Sequence, residues 1–222
     1  IAELKTKDYA KFLATTYASK HLQTALAAIF TYQLEIERIP LEVSEAMVGH
    51  VKIQWWREVL TEVMEGKPCR PHPILLALKG QEIDYGKLIV MLDYYDNLLE
   101  NKLPEKFEEL TDFLINTEVA ILQVAAKFLN VQLSLNTALA YAYNRMARKL
   151  IAKNKPFSDK LFEESKKMLK DPKTSVFGAI TSVAPVVLSR RGYRHRRHQP
   201  SHRHWPPPPR LQGGRGAMER SK

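Results

Sequence analysis

Asp93 and Asp96 stand three residues apart in LDYYDN, so on a helix both carboxylates lie on one face. Paired carboxylates are the hard oxygen ligands that Mg²⁺ takes, which makes this spacing a possible metal site. The competing expectation, a solvated polar stripe on an otherwise apolar helix, is the simpler one and is adopted. His21, His50 and His72 have no metal-ligand spacing between them. Cys69 is the single cysteine, in the loop KPCRPHP, so no intramolecular disulfide forms and a reducing compartment is expected. Arg57 differs from these because it directly follows Trp55 and Trp56. Two tryptophans in a helix are explained by core packing, whereas an arginine beside them is not.

The element that must position Arg57 begins after Val43. Ser44 is the predicted N-cap, and Glu45 suits the positive end of the helix dipole. Met47, Val51, Trp55 and Val59 fall on one stripe, and Ile53, Trp56, Leu60 and Val63 on a second about 100° away. So wide an apolar arc predicts a helix wedged between at least two others. Periodicity predicts further helices over 8–20, 22–38, 74–78, 85–101, 106–130, 134–153 and 159–170, with Pro40 ending the second of them. Short loops favour antiparallel neighbours, so the expected fold class is all-α, an antiparallel helical bundle.

Charge divides the chain in two. Residues 1–188 hold 24 Lys and Arg against 23 Asp and Glu, whereas residues 189–222 hold 10 against 1. Nearly all of the net charge of +10 therefore belongs to a tail. The near-neutral body gives no reason to expect a nucleic-acid interface. The tail is rich in Arg, His and Pro where the body is rich in Lys, and its composition predicts disorder. The abrupt change also fits out-of-frame sequence. No signal peptide is visible, and the longest uncharged stretch, 175–188, is shorter than the roughly 20 residues that span a bilayer. Peripheral membrane contact stays open.

The stretch VSEAMVGHVKIQWWREVL, 43–60, resembles the run SEPMLGEIRLQWWRDAL found in a variant branch of the squalene/phytoene synthase family. The similarity extends upstream through AIFTYQLE, 28–35, and downstream to His72, Pro73 and Ile74, and continues weakly to about residue 150. The resemblance implies an isoprenoid-synthase-like bundle over 1–188. It also implies C-terminal truncation, because the family carries further helices after its second motif where this chain has its basic tail.

Catalytic members join two prenyl diphosphates head to head, and they hold Mg²⁺ on two aspartate-rich motifs of facing helices. Where such a member reads YAFCRxVDDxVDE, this chain has FTYQLEIERIPLE, 30–42, so Glu37 takes the place of the first aspartate and Arg38 the second, with Glu42 one step beyond the last. The second motif, GxAxxLxNILRD, matches ALAYAYNRMARK, 138–149, in which Arg148 keeps the arginine, Arg145 replaces the asparagine and Lys149 the aspartate. A lysine contacts a phosphate but does not ligate Mg²⁺. The resemblance thus implies a synthase fold without synthase chemistry and with no cofactor. Arg57, Arg145, Arg148 and Lys149 become the candidate anchors for the anionic head group of a prenyl diphosphate or lipid. The same branch includes mitochondrial assembly factors for respiratory NADH dehydrogenase, so respiratory-complex subunits are implied partners. The implied location is the mitochondrial matrix or inner-membrane face in a eukaryote, or the cytoplasm in a bacterium. The alternative is an active Mg²⁺-dependent prenyl transferase with Glu37 as catalytic candidate and Glu37 and Glu42 as metal ligands.

Overall fold

The computed structural model describes residues 2–101 and 103–169, and these are helical with no strand among them. In chain order the helices are α1 (Ala2–Lys7), α2 (Tyr9–Tyr17), α3 (Gln23–Glu42), α4 (Ala46–Met64), α5 (Pro73–Leu78), α6 (Tyr85–Asn97), α7 (Phe107–Leu114), α8 (Ala120–Phe128), α9 (Leu135–Leu150) and α10 (Lys155–Leu169). A π-helical turn, Ile115–Val119, joins α7 to α8 without a break. The tail expected from 189 onward, and the residues just before it, lie outside the described residues.

Helix α3 is the axis of the bundle. It packs on α1, α2, α4, α5, α6 and α8, and Leu26, Ile29, Phe30, Tyr32 and Ile36 are all enclosed. Tyr32 is buried with its hydroxyl donating to the Leu88 carbonyl of α6 at 2.9 Å, so its polar end is satisfied. On one side α4 lies along α6, and on the other α9 pairs with α10. The predicted helix at 159–170 thus starts earlier, at Lys155, and its partner is α9. Ser158 and Ser165 of α10 each donate to an α9 carbonyl, of Ala147 and Ala140.

Three local expectations change. Pro40 does not end α3, which continues to Glu42, because a proline near a C-terminus removes only one late hydrogen bond and the Val43 amide still reaches the Ile39 carbonyl at 3.2 Å. Ser44 is not the cap of α4: the helix starts at Ala46 after an extended Glu45, with no side chain closing its first turn. Helix α4 does rest on α3 and α6 and buries Ile53, Trp56, Val59 and Leu60. Yet Met47 and Val51 of the predicted apolar arc are exposed, so the helix is not enclosed at its N-terminal half. Gly49 marks its closest approach to the chain after α6, where a Cβ would collide with the Leu99 side chain.

Candidate functional site

Helices α2, α3, α9 and the π turn converge on a set of charges inside the bundle. Asp8 caps α2 by accepting from the Lys11 amide, which fixes Lys11 one turn later on the inward face. Gln33 and Glu37 follow each other at i, i+4 along α3, and Arg145 and Lys149 do the same along α9. The π turn widens the α7–α8 helix at Ile115–Val119 and leaves Thr117, Glu118 and Val119 buried. Each element contributes its charge to one point.

The network is closed. Arg145 donates through Nε to Asp8 Oδ2 at 2.7 Å, through Nη1 to Glu37 Oε1 at 2.6 Å and Glu118 Oε2 at 2.7 Å, and through Nη2 to Glu37 Oε2 at 3.0 Å. Lys11 Nζ donates to Glu118 Oε1 at 2.5 Å and to Gln33 Oε1, while Gln33 Nε2 donates to Glu118 Oε2 at 2.6 Å and Glu37 Oε1 at 3.0 Å. Lys149 Nζ completes Glu37 by reaching Oε2 at 2.8 Å. Tyr141 and Tyr95 add hydroxyl donors to Asp8 and Glu37. Asp8, Glu37 and Glu118 are thereby matched by Lys11, Arg145 and Lys149.

Burial makes this pairing obligatory. The side chains of Lys11 and Glu118 are 2% and 3% exposed, and an ion of either sign held there without a partner is severely penalised. Burial alone raises a carboxyl, but Arg145 and Lys149 outweigh it at Glu37 and hold its pKa far below the ordinary carboxylate value. Asp8 is likewise lowered despite its burial, by Lys11 and Arg145. Burial pushes the Lys11 ammonium down, opposed by Glu118. The surrounding carboxylates drive Arg145 well above its ordinary value against the effect of burial.

The expected site residues separate into four places. Glu37, Arg145 and Lys149 meet, so the positions aligned with the first aspartate of one motif and with the asparagine and aspartate of the other do face each other. What they form is an ion pair. Arg148, on the same helix, lines a cavity of about 350 Å³ with Lys7, Tyr9, Leu13, Tyr141 and Lys149, and its Nε donates to Asn144 at 3.0 Å. Arg57 is remote from all of these and binds Asp93 of α6 at 2.8 Å. Glu42 is also elsewhere, exposed and paired with Arg38 at 3.4 Å, so it does not join Glu37. Among the described residues, the space directly between Glu37, Glu118 and Arg145 is only about 20 Å³. That holds one water and no prenyl chain.

Asp93 and Asp96 are each engaged by a different side chain of α4. Asp93 takes Arg57, and Asp96 accepts from His50 Nδ1 at 2.7 Å, so both act as ties between α4 and α6. Among the described residues no three His, Cys, Asp or Glu side chains come together as a cation site. His50 also lies 3.3 Å from Glu100, and its hydrogen bond to Asp96 raises its pKa above the ordinary value. A raised histidine stabilises the fold while the unfolded chain also binds the proton, and that contribution fades as pH climbs through the folded value. The difference in thermal midpoint between the parent and His50→Asn is therefore expected to be larger at about pH 5.5 than at about pH 8. Equal differences at the two pH values would refute the assignment.

Asp8, Lys11, Gln33 and Glu118 were not expected from sequence. Glu118 carried the clearest signal, being the lone charge in the run INTEVAILQVAA. Asp8 and Lys11 offered only a capping pattern, because their partners lie more than a hundred residues away.

No protein-family model matches the chain, and no solved structure matches it at a significant level. Four curated proteins do match. The proteins from Mus musculus and Homo sapiens, each named NADH dehydrogenase (ubiquinone) complex I, assembly factor 6, are 23% and 21% identical to it over 132 residues. The protein of the same name from Bos taurus is 21% identical over 134 residues. Each similarity covers 58% of this chain and 40% of the relative, so the chain matches less than half the length of these proteins. Among the described residues no helix is long and apolar enough to cross a membrane.

Proposed function

We propose that this chain is a noncatalytic protein of squalene/phytoene-synthase-like ancestry that acts in the assembly of the respiratory NADH dehydrogenase. One observation carries the noncatalytic part: Glu37 is bound by Arg145 and Lys149 at 2.6–3.0 Å in the place where a synthase would gather carboxylates around Mg²⁺. A cation from the protein already neutralises that carboxylate. The similarity to proteins named complex I assembly factor 6 supports the assembly role and, with it, a mitochondrial setting.

A second function, binding of an anionic isoprenoid or lipid, is favoured by the 350 Å³ cavity. Apolar Leu13 and the rings of Tyr9 and Tyr141 line it together with Lys7, Arg148 and Lys149, which suits an apolar chain with an anionic head. An active prenyl transferase has no comparable support.

One experiment addresses both functions. Farnesyl diphosphate is expected to bind the full chain saturably without release of pyrophosphate, with or without millimolar Mg²⁺. Mg²⁺-dependent turnover that vanished in Glu37→Ala would sink the noncatalytic assignment, and absence of saturable binding would remove lipid binding. The assembly role is tested in cells lacking the related factor: expression of the full chain is expected to restore assembled NADH dehydrogenase on native gels, and no restoration would count against it.

A further inference from the structure

Helix α4 carries an apolar stripe that the bundle does not use. Met47 is 70% and Val51 63% exposed, Val48 widens the stripe, and half-buried Trp55 continues it by another turn. Leu41, at the end of α3, is exposed as well. Single apolar side chains on a surface are ordinary, but a run of them at i, i+4, i+8 on one helix marks an interaction surface. The ridge of Val51 and Trp55 is flanked by two hollows of about 370 and 360 Å³, the first reaching Glu35, Glu42 and Trp56, the second His50, Gln54 and Glu58.

The border of this stripe is acidic. Glu35, Glu42, Glu45 and Glu58 stand around it, with Asp96 and Glu100 beyond His50. The cations there are fewer: Arg38 is tied to Glu3 and Glu42, Arg70 to Glu58 at 3.6 Å and His50 to Asp96 and Glu100, and Lys52 lines the first hollow, so the acids of this border outnumber its lysines and arginines. Glu35 is the most enclosed of these acids that has only a weak partner. Its side chain is only 25% exposed, it makes no hydrogen bond among the described residues, and its one ion-pair contact there is His72 Nε2 at 3.8 Å. Burial raises its carboxyl accordingly. Trp55 and Trp56 stand beside it with their rings at 79° to one another. A carboxylate next to indole rings is a receptor for an ammonium or guanidinium group.

We propose that this face of α4 is the docking site for a basic amphipathic helix of a protein partner, which lays its apolar side over Met47, Val51 and Trp55 and directs a Lys or Arg to Glu35. The three residues at i, i+4, i+8 form one continuous stripe along α4, against which a partner helix can lay its own apolar anchors at i, i+3/i+4 and i+7. The acidic border repels an anionic bilayer and attracts a basic peptide. The assignment rests on the assembly role proposed above, for which it supplies the partner surface.

The test uses the full chain and a fluorescently labelled synthetic helix with leucines on one face and lysines on the other, followed by anisotropy. Saturable binding is expected, at least tenfold weaker in Val51→Glu and in Glu35→Gln, and weaker with added salt. Val51 is exposed, so Val51→Glu is expected to keep the parent thermal midpoint, which separates lost docking from lost folding. No saturable binding, or binding that Val51→Glu leaves unchanged, overturns the proposal. So does binding to phosphatidylserine vesicles in preference to the peptide, self-association abolished by Val51→Glu, or peptide binding that emerges only after removal of residues 170–222. These outcomes do not depend on restoration of NADH dehydrogenase in cells. Intact peptide binding with failed restoration would sink the assembly role alone.

Discussion

Arg145→Met is expected to be among the most destabilising single changes in the chain, lowering stability by about 3–5 kcal/mol, the usual cost of stranding buried charge. The guanidinium holds Asp8, Glu37 and Glu118 at once, and among the described residues no other side chain reaches all three. Its removal leaves Glu37 with Lys149 and Glu118 with Lys11, but Asp8 keeps no cation nearer than Lys11 Nζ at 3.8 Å, besides the Lys11 amide and the Tyr141 hydroxyl. The carboxylates must then take up protons, so the loss is expected to shrink as pH falls. Urea unfolding of parent and variant at pH 7 and at about pH 3 checks both statements: the lowered carboxyls of Asp8 and Glu37 stabilise the parent in full above the ordinary carboxylate range, and that contribution is lost as pH falls toward their folded values. A loss below about 1 kcal/mol at neutral pH would show that the network is better hydrated than its burial indicates.

The second large effect concerns Lys11 and Glu118, the most deeply enclosed pair. Either Lys11→Met or Glu118→Leu alone is expected to cost about 3–5 kcal/mol, since each takes the shortest ion-pair contact from a buried charge, leaving Glu118 to Arg145 and Gln33, or Lys11 to Gln33 and a more distant Asp8. Made together they are expected to cost far less than the sum. Asp8 and Glu37 would then be matched by Arg145 and Lys149, and two apolar side chains would fill the space beside Phe30 and Tyr141, whose rings lie 5.5 and 5.7 Å from the ammonium. A four-member double-mutant cycle in urea reads the coupling directly. Additive losses would mean that the two residues matter through packing and not through charge.

Much of the bundle was legible because helix periodicity is local. The apolar spacing that marks α3, the helix expected from 134 and the break at Pro68, Pro71 and Pro73 all rest on patterns within one or two turns. Exposure was harder to read. Met47 and Val51 share the apolar pattern of α4, but whether a neighbour covers them depends on where α3 and α6 end, which spacing does not encode. At the site, resemblance singled out Glu37, Arg145 and Lys149, and they do meet. It could not supply Lys11 or Glu118, because a buried ion pair between residues 107 apart leaves no local pattern beyond an isolated charge in an apolar run. Pro40 misled for a related reason: its missing amide affects the Ile36 carbonyl one turn earlier, while the Val43 amide beyond it still bonds Ile39, so the helix runs on for two more residues.

The span of the Arg145 network bears on how the chain comes off the ribosome. Asp8 and Arg145 are 137 residues apart, a distance that takes about 10 s to translate at the usual rate of 5–20 residues per second. Throughout that interval Asp8, Lys11 and Glu37 have no guanidinium to close around, and desolvating them early would carry the full charge penalty. Burying these side chains before α9 has been made is therefore unfavourable, which opposes premature collapse of the N-terminal half. The same charges that lock the finished bundle thus delay its closure.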